Sequence, residues 1–497
     1  MKPIVNSSTT PHSAIAYGVL ALYATLTIAL PAQTYTRLHS FNSHYGANPA
    51  AGLTQALNGD LYGTTVNGGA YGTPYGTVFR ITPAGAFTSL YSFCSLSGCA
   101  DGDSPSAGLL QATNGYLYGA TQTGGTNLNA SGNGAGTIFK ITPGGVLTAV
   151  YDFCALSGCT DGDSPEAGLI QGTNGDFYGT TYKGGANCVP YGCGTVFKIT
   201  PSGTLTTLYS FCSVSGCTDG EYPQAGLVQA TNGDFYGTTA GGGVHGNYGT
   251  VFKITPTGTF TTLYSFCAVS GCADGSLPFA GLVQATNGYL YGTTGGGGAA
   301  GQGTVYKITP GGAQTTIYSF CSLSGCVDGI EPMAALIQAT NGDLGGTTYT
   351  GGANGGGTIF RITPSGTLTT LYSFCALTNC ADGANPQAPV AQDTNGVFYG
   401  TTFYGGAYGA GAVYSLSVGL GPFVETLPTS GAVGSAVKIL GTNLTGATSV
   451  TFNGTAAVFT VVSSSEITTT VPAGATTGTV QVVASSTLSS NVPFRVP

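Results

Sequence analysis

The stretch AGLVQATNGDFYGTTAGGGVHGNYGTVFKITPTGTFTTLYSF occupies Ala225–Phe266. Four strand-like runs lie inside it: AGLVQA (Ala225–Ala230), DFYGTT (Asp234–Thr239), GTVFKIT (Gly249–Thr255) and TFTTLYSF (Thr259–Phe266), here named strands A, B, C and D. Asn-Gly joins A to B and is a strong short hairpin signal. Pro-Thr-Gly joins C to D, with Pro fixing φ and Gly permitting the turn. A Gly-rich loop of variable length joins B to C.

The same unit recurs. Its Asn-Gly turn falls at Asn58, Asn114, Asn174, Asn232, Asn287, Asn341 and Asn395, with spacings of 56, 60, 58, 55, 54 and 54 residues. Repetition of a small antiparallel unit at a nearly fixed period predicts an all-β, seven-bladed β-propeller. The array carries its own closure device. Thr34–Phe41 (TYTRLHSF) matches strand D, whereas the seventh unit stops after its strand C, Gly411–Ser417. The N-terminal strand is therefore expected to complete the last blade and cover an exposed edge. An open superhelix of the same units is the rival arrangement.

Between D and the next A the chain writes one loop six times: FCSLSGCADGDSP from Phe93, then variants from Phe153, Phe211, Phe266, Phe320 and Phe374. Each holds two cysteines and an Asp-Gly. Another pair, Cys188 and Cys193, sits in the B-to-C loop of the third unit. Local pairing uses all 14 cysteines: Cys94–Cys99, Cys154–Cys159, Cys188–Cys193, Cys212–Cys217, Cys267–Cys272, Cys321–Cys326 and Cys375–Cys380. Zinc would require two pairs to converge, and redox catalysis commonly uses a two-residue spacing beside a helix. Stapling is the reading adopted, at about 2 kcal/mol for so short a loop. The loop opening the array, Phe41–Pro49, has no cysteine.

Composition narrows the function. The formal net charge is −8 and the 11 Lys and Arg form no cluster, so no nucleic-acid partner is expected. Lys2, the apolar run Ala14–Leu30 and small Ala32 read as an export signal. No membrane span beyond that signal is expected. Export implies an oxidising compartment in which paired cysteines become disulfides.

The repeated NGDFYGTT…GG…GTVFKITP.G..TTLYSFC pattern, over roughly Thr34 to Ser417, resembles the GloVer-type tandem-repeat proteins, exported bacterial proteins also called choice-of-anchor proteins. The resemblance implies surface association and no particular activity. From Gly421 the repeat ends. P.SG..G, V.I.GTNL.GATSV.FNG and ITTTVP.G..TG.V.V resemble an IPT/TIG domain, which implies an Ig-like β-sandwich used as an interaction module or spacer. The expected organisation is a signal at residues 1–32, the propeller at 33–417, a linker at 418–422 and the sandwich at 423–497.

Repeated positions have structural readings. Arg80, Lys140, Lys198, Lys253, Lys307 and Arg361 share one place on strand C and are expected to pair within their units. Gln55, Gln111, Gln171, Gln229, Gln284, Gln338 and Gln392 fall once per strand A and are expected to form an amide ladder or line a polar channel. The acids vary more. Asp101 with Asp103, Asp161 with Asp163, and Asp219 with Glu221 lie two residues apart across a glycine, a pattern able to aim two carboxylates at one calcium-like cation. The competing reading makes the first Asp a turn cap. No other cofactor and no catalytic residue is expected. The sequence predicts a monomeric, secreted or cell-surface, non-catalytic binding protein whose ligand it does not name, with a carbohydrate or a cell-envelope protein as the partner classes. A secreted polysaccharide lyase or hydrolase, or a purely structural surface protein, is the alternative.

Overall fold

A computed structural model describes residues 33–188 and 190–497; the expected export signal lies outside the described residues. The described chain is all-β, with 3-10 turns in place of α-helices. Seven four-stranded antiparallel sheets are built from the repeats, and two more from the C-terminal segment. In the fourth unit the strands are Val228–Gln229, Phe235–Thr239, Thr250–Ile254 and Phe260–Ser265, paired in that order. Strand A is shorter than its apolar run suggested, because Ala230 already closes the hairpin through its N–H to the Asp234 carbonyl at 2.9 Å. The seventh sheet is completed by Thr34–Ser40 pairing with Ala412–Ser417, with Thr34 opposite Ser417 and Ser40 opposite Ala412.

No sheet has a private core. Tyr178, Val196 and Phe211 of unit 3 pack with Leu227, Phe235, Phe252 and Ile254 of unit 4. Equivalent clusters join every successive pair of units, and one joins Tyr399 and Val413 of unit 7 to Leu53, Leu61 and Phe79 of unit 1. The array is β-propeller-like.

Two sets of polar bonds run around it. Each strand-A glutamine accepts the backbone N–H just past strand A of the preceding unit. The bonds run from Leu57 N–H to Gln111 through to Thr394 N–H to Gln55, seven among the described residues, at 2.8–3.0 Å. The amide-ladder expectation is thus realised between units. Farther out, the strand-B hydroxyls of Thr64, Thr180, Thr238, Thr293, Thr347 and Thr401 donate to an alanine carbonyl of the next unit at 2.9–3.2 Å. Ala120 replaces the threonine in unit 2.

Strand B needs its glycine. Gly237 lies opposite Phe252, whose ring crosses it, and a Cβ there would stand 2.5 Å from Phe252 Cζ. Strand B also supplies a buried tyrosine whose hydroxyl accepts from the turn asparagine, as in Asn232 Nδ2 to Tyr236 Oη at 2.9 Å. In unit 6 this tyrosine is Gly345, and a hollow lined by Asn341, Arg361, Leu371 and Phe398 opens beside it. A Cβ at Gly345 meets nothing closer than 3.4 Å. Gly345→Tyr is therefore expected to stabilise the chain by about 1–2 kcal/mol, read as a rise in chemical-denaturation midpoint. A fall would show that the sixth unit has no room for the side chain of its siblings.

Candidate functional site

The chain's long loops share one face. The segment after each Asp-Gly turn bridges to the B-to-C loop of the next unit: Asp103 with Thr123, Asp163 with Lys183, Glu221 with Gly241, and so on to Ala384 with Tyr404. The Asn-Gly turns lie at the other end of the strands. The loop face is rigid for reasons visible in each copy. All seven local disulfides are present, and no free cysteine occurs among the described residues. Both cysteines of each repeated loop take left-handed backbone angles, φ 51–61°, a costly conformation for a residue with a Cβ.

The first acid of each loop holds that conformation. Asp101 is buried and accepts from Tyr91 Oη (2.7 Å), Ser95 N–H (2.9 Å), Ser95 Oγ (2.8 Å) and Leu96 N–H (3.1 Å). Burial pushes its carboxyl upward, but these bonds outweigh burial and leave it below the usual range. Asp161, Asp219, Asp274, Asp328 and Asp382 repeat the arrangement, each taking a tyrosine hydroxyl and two successive backbone N–H groups.

Among the described residues the six acids singled out for a cation form no group of three or more with one another. Asp101, Asp161 and Asp219 are turned into their own loops. Asp103 accepts from Ser104 Oγ at 2.8 Å, and Asp163 accepts from Ser164 Oγ at 3.0 Å and Asn129 Nδ2 at 3.3 Å. Glu221 lies against Cys193 and Cys212. Among the described residues the one gathering of three or more metal-ligating groups is Cys188, Cys193, Cys212, Cys217 and Glu221. The strand-C cations are engaged within their units. Arg80, Lys198, Lys253 and Arg361 pair with Asp60, Asp176, Asp234 and Asp343 at 3.6–4.0 Å. Where the turn acid is a tyrosine instead, Lys140 and Lys307 lie over Tyr116 and Tyr289, each 5.2 Å from the ring centroid.

The loop face offers a repeated set of apolar side chains to solvent. Leu96, Leu156, Val214, Val269, Leu323 and Leu377 occupy one position between the stapled cysteines, and each is 50–56% exposed. Tyr71, Tyr191, Tyr248, Tyr404 and Tyr408 stand out from neighbouring loops on the same face. Tyr45 and Tyr408 flank a recess of about 450 Å³ with Arg37 and His39 at the seam made by the N-terminal strand. The signal in the sequence was a Leu or Val at the same place between the two cysteines of all six repeated loops.

The opposite end of the strands is covered. The C-terminal segment forms two four-stranded sheets around one core of Val437, Ile439, Val450, Phe452, Ile467 and Val480. It reaches four units near the strand-A hairpins. Ser465 Oγ donates to the Leu57 carbonyl (2.7 Å), Arg495 to that of Thr231, Asn491 Nδ2 to that of Gln338 (2.8 Å), and Thr442 bonds Thr394 (2.9 Å). Two acids stand at this junction. Asp393 replaces the Ala or Gly that follows glutamine in the other units, is 1% exposed, and has an Oδ2 without a hydrogen-bond partner. Burial raises its carboxyl to about 6; burial, with the Asp393 charge nearby, raises Glu425 to about 7, although the Glu425 side chain keeps solvent contact.

The Asp393 value lies above that of the unfolded chain, so the folded state holds this proton longer. The stability it contributes is present below about pH 4 and is lost as pH rises through about 6. For Asp393 the loss amounts to about 3 kcal/mol. Denaturation midpoints should therefore fall from pH 5 to pH 7.5, and Asp393→Asn should flatten that slope. Equal slopes in both proteins would remove Asp393 from the account.

The chain belongs to the Gloeobacter/Verrucomicrobia repeat family, whose model matches residues 13–187, 99–285 and 269–462. No curated protein matches it. Among solved structures it is similar to virginiamycin B lyase from Staphylococcus aureus, at 16% identity over 78% of this chain and 99% of that one, with a TM-score of 0.48. It is also similar to the extracellular domain of a one-component system from B. thetaiotaomicron, at 12% identity over 94% of this chain and 58% of that one, again with a TM-score of 0.48.

Proposed function

We propose that this member of the Gloeobacter/Verrucomicrobia repeat family is an exported, non-catalytic binding protein of the cell surface or its surroundings. In this reading it is a closed seven-bladed β-propeller with an IPT/TIG-type sandwich docked over the turn face. The observation that carries the binding reading is the loop face: six equivalent exposed aliphatic side chains, interleaved with tyrosines, on loops held by disulfides and buried aspartates. Side chains that are already ordered lose little freedom when a partner arrives, so a rigid array of this kind favours binding. Apolar residues repeated at one loop position, and not scattered singly, mark an interaction surface. Tyrosine adds flat rings that stack on sugars while its hydroxyl stays hydrated. The partner that fits is weakly charged: an envelope glycan or an apolar protein surface.

Asp393 is an acid that breaks repeat symmetry near the hub, which is where a polysaccharide-cleaving enzyme would place one. It is closed to solvent, away from the loop face and next to Thr394, which bonds Thr442 of the C-terminal segment; Glu425 belongs to that segment itself. The position of Asp393 supports a role in joining the two bodies, and binding remains the reading adopted. The disulfides fit an oxidising compartment.

The full chain screened against glycans and cell-envelope fractions is expected to retain a weakly charged ligand. Leu96→Ser, Leu156→Ser, Leu323→Ser and Leu377→Ser together should weaken that binding roughly tenfold or more without changing the melting temperature. Retention that ignores these four changes and follows substitutions on the turn face would overturn the assignment.

Closure has its own test. Removing residues 34–41 takes away the outer strand of the seventh sheet and Phe41, which packs on Phe79 and Val413 of the 7–1 junction. Melting of the whole array should shift down and broaden. An unchanged melt would support an open superhelix.

A further inference from the structure

The third unit differs from its siblings in chemistry that the binding reading does not use. Its B-to-C loop carries a second cysteine pair, and the fold brings that pair beside the stapled loop that follows strand D. The sulfurs of Cys188, Cys193, Cys212 and Cys217, with one carboxylate oxygen of Glu221, all lie within 4.8 Å of one another. Sequence spacing alone disfavours zinc, because two pairs must meet; here they do. We propose that, once reduced, Cys188, Cys193, Cys212 and Cys217 form a four-thiolate site for a single zinc ion, and that the two disulfides are the oxidised, metal-free state of the same site.

The geometry is close to what the ion requires. With zinc–sulfur bonds of about 2.3 Å, a tetrahedron places its sulfurs about 3.8 Å apart. Sulfurs already within 4.8 Å need only side-chain rotation to reach it. The frame that holds them does not depend on the disulfides. Asn187 Nδ2 donates to the carbonyls of Ser210 (3.1 Å) and Phe211 (2.9 Å), tying the loop to the residues just before Cys212. The Cys193 carbonyl accepts from Tyr222 N–H at 2.9 Å, and Cys188 accepts from Gly192 N–H at 2.9 Å. None of these bonds passes through sulfur, so they survive reduction. Cys193 is 2% exposed and forms the floor of the cluster, whereas Cys188 is exposed and leaves a way in for the ion. Glu221 Oε2 lies 3.5 Å from Cys193 Sγ and 3.6 Å from Cys212 Sγ, a carboxylate where an incoming cation gains attraction.

The chemistry balances. A dithiol or phosphine reductant supplies four electrons, and four protons are taken up, converting two disulfides to four thiols. One Zn²⁺ then displaces four protons to give the tetrathiolate. A disulfide-forming oxidant removes four electrons, restores both disulfides and releases the ion. The other disulfides lie outside this cluster and serve as internal controls.

The test uses the full chain, reduced anaerobically with a phosphine and freed of excess reagent. Titration with Co²⁺ should give the thiolate charge-transfer and tetrahedral visible bands at one equivalent, and zinc should displace them. The oxidised chain should give neither. A chain carrying Cys188→Ser and Cys193→Ser is expected to fold, because no other unit has this pair; it should lose the bands and bind zinc roughly a hundredfold more weakly or worse. Cys94→Ser with Cys99→Ser should leave them intact. Zinc should also raise the melting temperature of the reduced chain, and not that of the Cys188/Cys193 variant. Absence of cobalt–thiolate absorption from the reduced chain, or equal absorption in the two double variants, would overturn the proposal.

Discussion

A four-stranded sheet with a two-residue inner strand cannot bury its own faces, and every other feature of the array follows from that constraint. Each apolar cluster is shared by two units, so a unit at an open end would expose one. The Gln ladder expresses the same dependence in polar form, since each amide bonds across a junction and the last, Gln55 to Thr394, spans the whole repeat array in sequence. A bond of this kind contributes only about 1 kcal/mol net. Its value lies in arrangement: seven equivalent bonds tie every junction at the same place. The N-terminal strand then does two things at once, completing the seventh sheet by pairing with Ala412–Ser417 and leading Phe41 into the cluster with unit 1.

The loop face has a second constraint, local to each unit. A short loop must reverse from strand D toward the next strand A, and it does so with two left-handed cysteines. Glycine would adopt those angles without strain but could not be cross-linked. The aspartate resolves the conflict by accepting two successive backbone N–H groups and a tyrosine hydroxyl, which fixes the turn from inside. Its persistence as Asp-Gly in all six loops, while the second acid varies, follows from this role. An Asp used as a cap has little acceptor capacity left for a cation.

Much of this was legible in the sequence. The Asn-Gly period, the stray strand D at Thr34–Phe41 and the even, locally spaced cysteines are short-range signals, and short-range signals survive in one dimension. What did not survive is whatever depends on how two segments meet. The pairing of Lys140 with Tyr116 required the cross-strand register. The meeting of Cys188 with Cys212 required the B-to-C loop to fold back on the end of strand D. The two acids of a loop part company for a related reason: the Asp101 carboxylate is turned into its own loop, whereas the Asp103 backbone bridges to Thr123 of the next unit. The place of the sandwich is likewise invisible, because Ser465, Asn491 and Arg495 bond backbone carbonyls, which every residue has.

Repetition offers its own way to separate structure from function. A residue that recurs from unit to unit answers to the unit's own folding, as the strand-C cation of six units shows: it meets an acid in four and a tyrosine ring in two, and so is satisfied locally each time. A departure in a single unit has no such explanation. Gly345, Asp393 and the Cys188–Cys193 pair are departures of this kind, and they differ in consequence. Gly345 removes a side chain and leaves a hollow, a loss that needs only tolerance. Asp393 inserts a carboxylate where an alanine would pack, at a cost in desolvation, and stands where the sandwich meets the ring. The extra cysteines add two residues that must both appear, in one loop, at matching spacing, beside an existing pair. The more coordinated the departure, the more it asks of the fold, and the third unit holds the most coordinated one: two added cysteines whose sulfurs meet an existing pair.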